Sequence, residues 1–514
     1  MSARSARVAG TWIAIFAVVA LLTLGAGTGQ AWAQSGSTGG IHGQVADPTG
    51  AVIPGAAVVL RNAASGAQTT AQSGADGSYT FVNVVPGSYE IAVTMQGFQP
   101  FHDLGIDMAG ADSLRFDVQL SLAKQSEVVE VSSSILPTET DSAQNGGLIT
   151  ARNMTAVPLN GRSFTDLLAM QPGVVPASSS QPNAVVMSGC TATPPSGDLN
   201  AGNLSVSGQR ETANGFSVNG STVEEDFNNG TAIVPNLDAI QGLRVLTNNT
   251  DAEYGNYSGG QVIVDTKSGT NQIHGDVFEF LRNTNLDARN YLATTRAAYD
   301  RNQYGATLGG PIRKDKAFFF VDYQGTQMTQ GQETGYIVVP TLADRSGNLG
   351  DLASQLTGKV SSTYWANQLA QKLGYTVQAG EPYYSVGCTT SSQCVFPNAV
   401  IPTSIWSTPA RNLLQYIPTP NIGTNLFSDA AQNETLNDSK AAARFDFVTQ
   451  RFGSIFAYYL LDQFTMDNPY PTEQGGANVP GFNALSDGRA QLFSFGDVKN
   501  FGANTVNEIG RAHV

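Results

Sequence analysis

The segment RFDFVTQ, Arg444 to Gln450, alternates polar and aromatic residues. Because successive side chains of a strand point to opposite faces, Phe445 and Phe447 share one face, and Arg444 and Asp446 share the other. A strand with lipid on one side and a polar interior on the other requires this alternation. A half-buried strand of a soluble β-domain has the same pattern, so periodicity alone leaves both structures open.

Short, aromatic-rich segments of the same kind recur on both sides of this one. A long polar stretch separates two of them, at about residues 331–438, and its length is typical of an external loop of a membrane barrel. The recurring segments are GDVFEFLRN, QYGATLGG, AFFFVDYQG, FGSIFAYYLLDQF and AQLFSFGDV.

The composition favours β-structure and excludes one class of partner. Only 13% of the 514 residues are charged, and 55 glycines and 23 prolines are available for turns. Many short strands joined by turns suit this composition better than helical bundles do. The net charge of −14 argues against a nucleic-acid partner, because binding phosphates requires a basic surface.

The first 33 residues have the organisation of a secretory signal peptide. Arg4 and Arg7 precede an apolar run from Thr11 to about Leu24, and Ala31 and Ala33 form an A-x-A cleavage pattern. The run is shorter than the roughly 20 residues that a spanning helix needs. We therefore predict cleavage after Ala33 and export from the cytoplasm.

Two of the three cysteines are close in sequence, and no catalytic motif is present. Cys388 and Cys394 flank a polar segment, GCTTSSQC, which in an oxidising compartment favours a local disulfide; two free thiols are the alternative. The four histidines lack metal-ligand spacing, and nucleophile-elbow, P-loop and dinucleotide-binding motifs are absent. We predict no enzyme, no metal site and no cofactor.

Residues 41–122 alternate short apolar runs with the turn signals DPTG, IPGA, GADGSY and VPGSYEI. This pattern predicts an antiparallel β-sandwich, closed by a strand over Ser113–Leu122 that places Leu114, Phe116, Val118 and Leu120 on one face. The segment resembles the carboxypeptidase regulatory-like domain, which has a transthyretin-like, carbohydrate-binding-like fold. The resemblance implies a spacer or interaction module, with sugar binding as the less favoured role, and the zinc ligands of the peptidases are absent.

The middle of the chain contains a predicted short helix over Arg162–Met170, with Ser163 or its neighbour as a candidate cap, followed by strands joined by tight turns. Together with the segments that follow, this region resembles TonB-dependent outer-membrane receptors of the Oar-like branch. The motifs that carry the resemblance are LNGRSFTDLLAMQPGV, SGQRETANGFSVNG, AEYGNYSGGQVIVDTKSGTNQIHG, RNQYGATLGGPI and KAFFFVDYQGTQ.

The resemblance implies a mainly β chain with four parts after the signal peptide: the sandwich, a linker at 126–144, an α/β plug domain at 145–268, and barrel strands at 269–514. Siderophore receptors carry an R-G-P triplet at this point, whereas this chain has RVLTNNTDAEYG, and the difference weakens the inference of an iron substrate. A plugged barrel has about 22 strands of ~9–11 residues. Residues 269–514 can supply far fewer strands than this. The sequence therefore predicts an incomplete barrel and an N-terminal fragment of a longer receptor.

The segment EVVEVSS resembles the TonB box of this family. The resemblance implies that Glu127, Val128, Val129, Glu130 and Val131 dock a TonB-like periplasmic energy-coupling protein, which can pair with an extended segment through backbone hydrogen bonds. A short edge strand or a plain linker is the alternative interpretation.

Two functions follow as expectations. The first is an outer-membrane receptor, surrounded by outer-membrane lipid, for the energised import or export of an unidentified substrate. The second is a secreted or surface binding protein in which the sandwich recognises carbohydrate or a protein partner.

Overall fold

A computed structural model describes the chain between residues 38 and 513 with several gaps. Within the described ranges, no helix combines the length and apolar character needed to cross a membrane. The described residues are 38–108, 113–122, 144–159, 161–176, 204–224, 231, 233–250, 254–288, 296, 298–449, 451–471, 477–500 and 506–513.

The first domain is a sandwich of two four-stranded sheets. In one sheet the strand order is β4-β1-β7, and β8 also pairs with β1. In the other sheet the order is β3-β2-β5-β6. Its strands are β1 (Gly39–Ala46), β2 (Ala57–Asn62), β3 (Gln68–Gln72), β4 (Ser78–Val84), β5 (Gly87–Thr94), β6 (Phe101–Met108), β7 (Ser113–Arg115) and β8 (Val118–Gln119). β1 pairs in parallel with β7 and β8. The prediction of a wholly antiparallel sandwich is therefore wrong, because the chain crosses over to the other sheet after β6 instead of returning by a hairpin.

The predicted closing strand is present as two short pieces, β7 and β8. Its alternation is nevertheless confirmed, because Leu114, Phe116, Val118 and Leu120 are all buried in the sandwich core. The Tyr79 hydroxyl donates to the backbone carbonyl of Phe116, at 2.5 Å, where the two pieces meet. This bond satisfies a buried carbonyl at the break in the strand.

The central domain, residues 144–268, is a five-stranded sheet with two short helices. The sheet order is β13-β12-β15-β14-β9, with β12 and β15 parallel, and β10 and β11 form a separate pair. Its elements are β9 (Asn145–Thr150), α1 (Ala151–Ala156), α2 (Thr165–Leu168), β10 (Val174–Pro176), β11 (Leu204–Val206), β12 (Gly215–Val218), β13 (Ser221–Thr222), β14 (Ile240–Asn248) and β15 (Gln261–Thr266).

The predicted helix over Arg162–Met170 is confined to α2, Thr165–Leu168. Arg162 has a φ of 57°, in the left-handed region that a right-handed helix cannot include. Ser163 accepts a hydrogen bond from the Thr165 N–H but precedes the cap position, which Phe164 occupies. The prediction was therefore wrong about the start of the helix, while the cap position falls on the neighbour of Ser163, without a side-chain cap hydrogen bond.

The last part of the chain is a seven-stranded antiparallel sheet with the order β16-β17-β18-β21-β22-β23-β24, while β19 and β20 pair separately. β16 and β24 form its two edges, and they do not pair with each other in the described residues. Its strands are β16 (His274–Asn283), β17 (Tyr299–Arg313), β18 (Ala317–Gln332), β19 (Ile337–Val338), β20 (Leu426–Phe427), β21 (Gln432–Thr449), β22 (Gly453–Asn468), β23 (Ala484–Asn500) and β24 (Val506–His513).

The two faces of this sheet differ as RFDFVTQ predicts. Phe445 and Phe447 are about two-fifths exposed on the outer face, whereas Arg444 is buried on the inner face. Tyr304, Tyr323, Tyr459, Phe493 and Phe495 are also exposed. A sheet of long strands with an aromatic outer face and a polar inner face is the arrangement of a membrane barrel wall. The mainly β fold class is confirmed.

The connections at the two ends of the sheet differ in length. β17 and β18 are joined by three residues, as are β21 and β22, whereas residues 333–431 separate β18 from β21. This long connection contains α3 (Thr363–Leu373) and α4 (Thr408–Leu414) and a small core of its own. We refer to these residues as the loop subdomain.

Candidate functional site

The inner face of the sheet carries charged side chains against the central domain. Inward positions alternate along each strand, and the register places Gln324, Lys440 and Asp462 side by side on β18, β21 and β22. Asp322 is the inward residue next to Gln324 on β18, and Asp438 is the inward residue next to Lys440 on β21. Charged groups are rarely buried unless they are paired, so their partners define what this interface does.

Strand β21 contacts the central domain at successive inward residues. Nearest the short turns, the Ser268 hydroxyl donates to Asp446 at 2.7 Å. Further along, Arg444 reaches Thr266, and Lys440 Nζ donates to the Val234 carbonyl at 3.4 Å. One strand of the wall therefore holds the central domain along much of its depth.

Arg444 makes the densest of these contacts. Its Nη1 donates to the Thr266 carbonyl at 3.0 Å, the Thr266 hydroxyl at 3.1 Å and Asn219 Oδ1 at 3.2 Å. Its Nε and Nη2 bind the Asp446 carboxylate at 3.0–3.1 Å, and its guanidinium lies 4.9 Å from the centre of the Phe456 ring. A planar guanidinium with several fixed donors can serve two domains at once.

Lys440 is the centre of a buried charge cluster. Its ammonium lies 3.9 Å from Asp438 and 3.8 Å from Asp462, and the Lys440 side chain is 2% exposed. Two carboxylates around one ammonium hold it in place on the wall while it donates to Val234 of the central domain. Taking these charges from water is costly, so the cluster depends on all its members.

Other strands add single contacts to the central domain. Asn236 donates to Asp322 on β18, Gln303 Nε2 donates to the Gly161 carbonyl at 3.2 Å, and Ser221 and Ser494 hydroxyls lie 2.9 Å apart. Apolar side chains lie between these polar contacts, because one core cluster joins the central domain to Ala442, Tyr458, Leu460 and Leu492 of the wall.

Arg162 links the central domain to the first strand of the sheet. Its guanidinium pairs with Asp238 of the same domain and lies over the rings of Phe278 and Phe280, 4.9 and 4.0 Å from their centres. The ion pair and the two cation–π contacts stabilise a backbone conformation that non-glycine residues seldom adopt. The motif LNGRSF is thereby anchored to β16.

The predicted docking residues Glu127, Val128, Val129, Glu130 and Val131 lie outside the described residues, as does the predicted cleavage residue Ala33. Residues 123–143 connect the sandwich to the central domain. The described chain stops at Leu122, which pairs with Phe98, and resumes at the buried Gln144. The docking prediction stays a prediction.

The loop subdomain contains the predicted cysteine pair. The structure joins Cys388 and Cys394 by a disulfide, with Cα atoms 6.2 Å apart, and both side chains are buried. The adjacent Val395 and Phe396 belong to the small core of the subdomain. The bridge thus fixes a turn directly against that core.

Replacing both cysteines with alanine is expected to destabilise the loop subdomain. Closing so short a loop contributes about 2 kcal/mol on the chain-entropy model. Limited proteolysis of the full-length protein should cut residues 333–431 faster in Cys388→Ala/Cys394→Ala, by about tenfold or more.

Cys190→Ala is the matched control, because it removes a thiol elsewhere. Equal cleavage rates for the double variant and the wild type would contradict a stabilising bridge, as would free thiols at both positions in unreduced protein.

Sequence reasoning located part of this interface. It placed Arg444 and Asp446 on the inner face, but it did not identify Lys440, Asp322 or Asp462. The available signal was the inward parity of these charged residues within predicted strands. In the described residues, no group of three or more histidine, cysteine, aspartate or glutamate side chains is placed to hold a metal ion.

Comparisons with known proteins identify both ends of the chain. Residues 265–512 match the family described as "Outer membrane beta barrel domain", and residues 40–121 match "Carboxypeptidase regulatory-like domain". The chain is 23% identical over 328 residues to the TonB-dependent transporter Oar of Myxococcus xanthus. The aligned region covers 60% of this chain and 29% of that protein. The chain therefore spans less than a third of that relative.

Two solved structures show weaker likenesses. The outer membrane transporter YddB from Escherichia coli has 7% identity and a TM-score of 0.41, covering 70% of this chain and 37% of its own. Hydroxyquinol 1,2-dioxygenase from Pseudomonas putida has 12% identity and a TM-score of 0.15, covering 17% and 58%. Scores this low carry no argument about function. The chain thus carries a carboxypeptidase regulatory-like domain followed by an outer membrane beta barrel domain, and it is similar to a TonB-dependent transporter.

Proposed function

We propose that the protein acts as a TonB-dependent receptor and transporter in the outer membrane, with the central domain as its plug. The observation that supports this proposal is the polar contact of the central domain with the inner face of β21, from Asp446 to Lys440. A domain held against a barrel wall by hydrogen bonds can exchange them for water when it moves. The plug thereby blocks the pore at rest and releases it under force.

Force must reach the plug through the chain that precedes it. The segment Glu127–Val131 ends about a dozen residues before β9, which pairs with β14 at the edge of the plug sheet. A TonB-like partner that adds a strand to this segment would pull directly on β9. Backbone pairing tolerates many sequences, which suits one energising partner that serves many receptors.

Val129→Pro is expected to abolish energised transport. Proline lacks the N–H that a paired strand donates, and its ring disturbs the preceding residue, so strand addition at this position should fail. The measurement is site-specific photo-cross-linking of the full-length protein to a TonB C-terminal domain from Glu127 and Val131. We expect cross-linking to fall at least tenfold.

Thr140→Pro is the matched control, because it places the same residue in the polar tail of the segment. It should leave cross-linking within twofold of the wild type. Absence of contact at Glu127–Val131 in the wild-type protein would refute the docking proposal.

The proposal includes export through a signal peptide that is cleaved after Ala33, so that the mature chain begins at Gln34. Mass spectrometry of the mature N-terminus tests this directly, and an N-terminus upstream of Ala33 would contradict it.

The alternative function is a secreted or surface binding protein that recognises carbohydrate or a protein partner through the sandwich. The family matches do not favour it. Fractionation separates the two: the receptor is recovered in outer-membrane vesicles, whereas the binding protein would be recovered in the periplasm or the medium.

A further inference from the structure

An asparagine on the rim of the seven-stranded sheet contacts the sandwich. Asn271 lies in the link between β15 and β16, and its N–H donates to the Ala64 carbonyl at 3.0 Å. Its side-chain Nδ2 donates to the Ser65 carbonyl at 3.1 Å. Both acceptors belong to the turn between β2 and β3 of the sandwich, so two hydrogen bonds of one residue join the two domains.

The rim holds Asn271 in the orientation that these bonds require. Asp315, in the short turn between β17 and β18, accepts from Asn271 Nδ2 at 2.8 Å, and its own N–H donates to Asn271 Oδ1 at 2.8 Å. Every polar atom of the Asn271 amide therefore has a partner. Only an asparagine side chain offers two donors and an acceptor at this length.

The sandwich turn is equally well organised. Asn62 Oδ1 accepts from the N–H groups of Ala64 and Ser65, at 3.0 and 2.8 Å, which leaves their carbonyls directed outward. Gly66 has a φ of 72°, and a Cβ at this position would lie 2.8 Å from an Asp315 carboxylate oxygen. The turn and the rim are thus complementary in hydrogen bonding and in shape.

We propose that residues 62–66 of the sandwich dock on the barrel rim at Asn271 and Asp315, and that this docking anchors the N-terminal side of the TonB-docking segment. The consequence for TonB rests on the proposed function; the docking itself does not. With β9 paired to β14 on its other side, the segment 123–143 is held at both ends. A TonB-like partner therefore captures an internal strand between two anchors, not a free tail.

The two anchors differ in strength. Two hydrogen bonds hold the sandwich to Asn271, whereas β9 and β14 pair over six residues of each strand. A pull on the segment therefore separates the sandwich from the rim before it removes β9 from the plug. The released sandwich lengthens the tether while the plug is still closed.

Hydrogen exchange of the full-length protein tests the docking. Two variants disturb it: Asn271→Ala removes the side-chain bonds, and Gly66→Ala introduces a methyl group against Asp315. We expect the amide of residue 271 to exchange at least tenfold faster in both variants than in the wild type. Continued protection of β2 and β5 in the same samples shows that the sandwich is still folded.

Each variant has a matched control. Gln272→Ala changes the exposed neighbour of Asn271. Gly55 has a φ of 77°, close to that of Gly66, and the Cβ added by Gly55→Ala would have no heavy atom within 4 Å. Both controls should exchange as the wild type does at residue 271. Fast exchange of the Asn271 amide in the wild-type protein would overturn the docking, and so would unchanged exchange in both test variants.

Failure of the proposed function gives a different result. Protected Asn271 without TonB cross-linking at Glu127–Val131 would refute the TonB role and leave the docking intact. TonB cross-linking with an unprotected Asn271 would refute the docking alone.

Discussion

Replacing Arg444 with alanine is expected to free the central domain from strand β21 and, on the proposed function, to open the pore under mild denaturant. The change removes three hydrogen bonds to Thr266 and Asn219 and leaves Asp446 without its guanidinium partner. Bonds to a charged donor contribute ~1.5–3 kcal/mol each, so the loss should reach about 3 kcal/mol even with partial compensation. Planar-bilayer conductance of the full-length protein in urea measures it, and the opening midpoint should fall by more than 1 M.

The controls separate charge from geometry. Arg444→Lys keeps the charge but loses the planar fork, and it should open at an intermediate concentration. Arg313→Ala removes an exposed arginine at the end of β17 and should behave as the wild type. Opening of Arg444→Ala at the wild-type midpoint would show that Arg444 does not hold the central domain.

Lys440→Met is expected to destabilise the folded wall by about 3–5 kcal/mol, since it removes the ammonium from between two buried carboxylates. Asp438 and Asp462 lie 3.9 and 3.8 Å from the ammonium, and both are buried. The bond to the Val234 carbonyl is lost as well. Urea unfolding of the full-length protein, followed by the far-ultraviolet circular dichroism of its strands, measures the change.

A second substitution tests the cause. Lys440→Met combined with Asp462→Leu also removes one of the two buried carboxylates and should recover part of the lost stability. Lys316→Met, on an exposed turn, should be neutral. If Lys440→Met is as stable as the wild type, Lys440 does not stabilise the wall. A double variant that is less stable than Lys440→Met would also contradict this role.

Much of the architecture could be predicted from local pattern. The two-residue period of RFDFVTQ correctly separated Phe445 and Phe447 from Arg444, because parity along a strand needs no knowledge of its neighbours. Leu114, Phe116, Val118 and Leu120 were assigned to one face on the same ground. The helix over Arg162–Met170 failed at its start, because Arg162 adopts a left-handed backbone that depends on Asp238 and on the rings of β16.

The sequence by itself determined the fold class, the inner and outer faces of the strands and the two resemblances. These depend on periods of two residues and on short motifs, which are local properties of the chain. Only the tertiary structure decided which inward charges meet the central domain and which rim residue meets the sandwich. Lys440 and Val234 are 206 residues apart, and Asn271 and Ser65 are also 206 apart. Partnerships across such separations are set by strand register and domain packing, which no local pattern encodes.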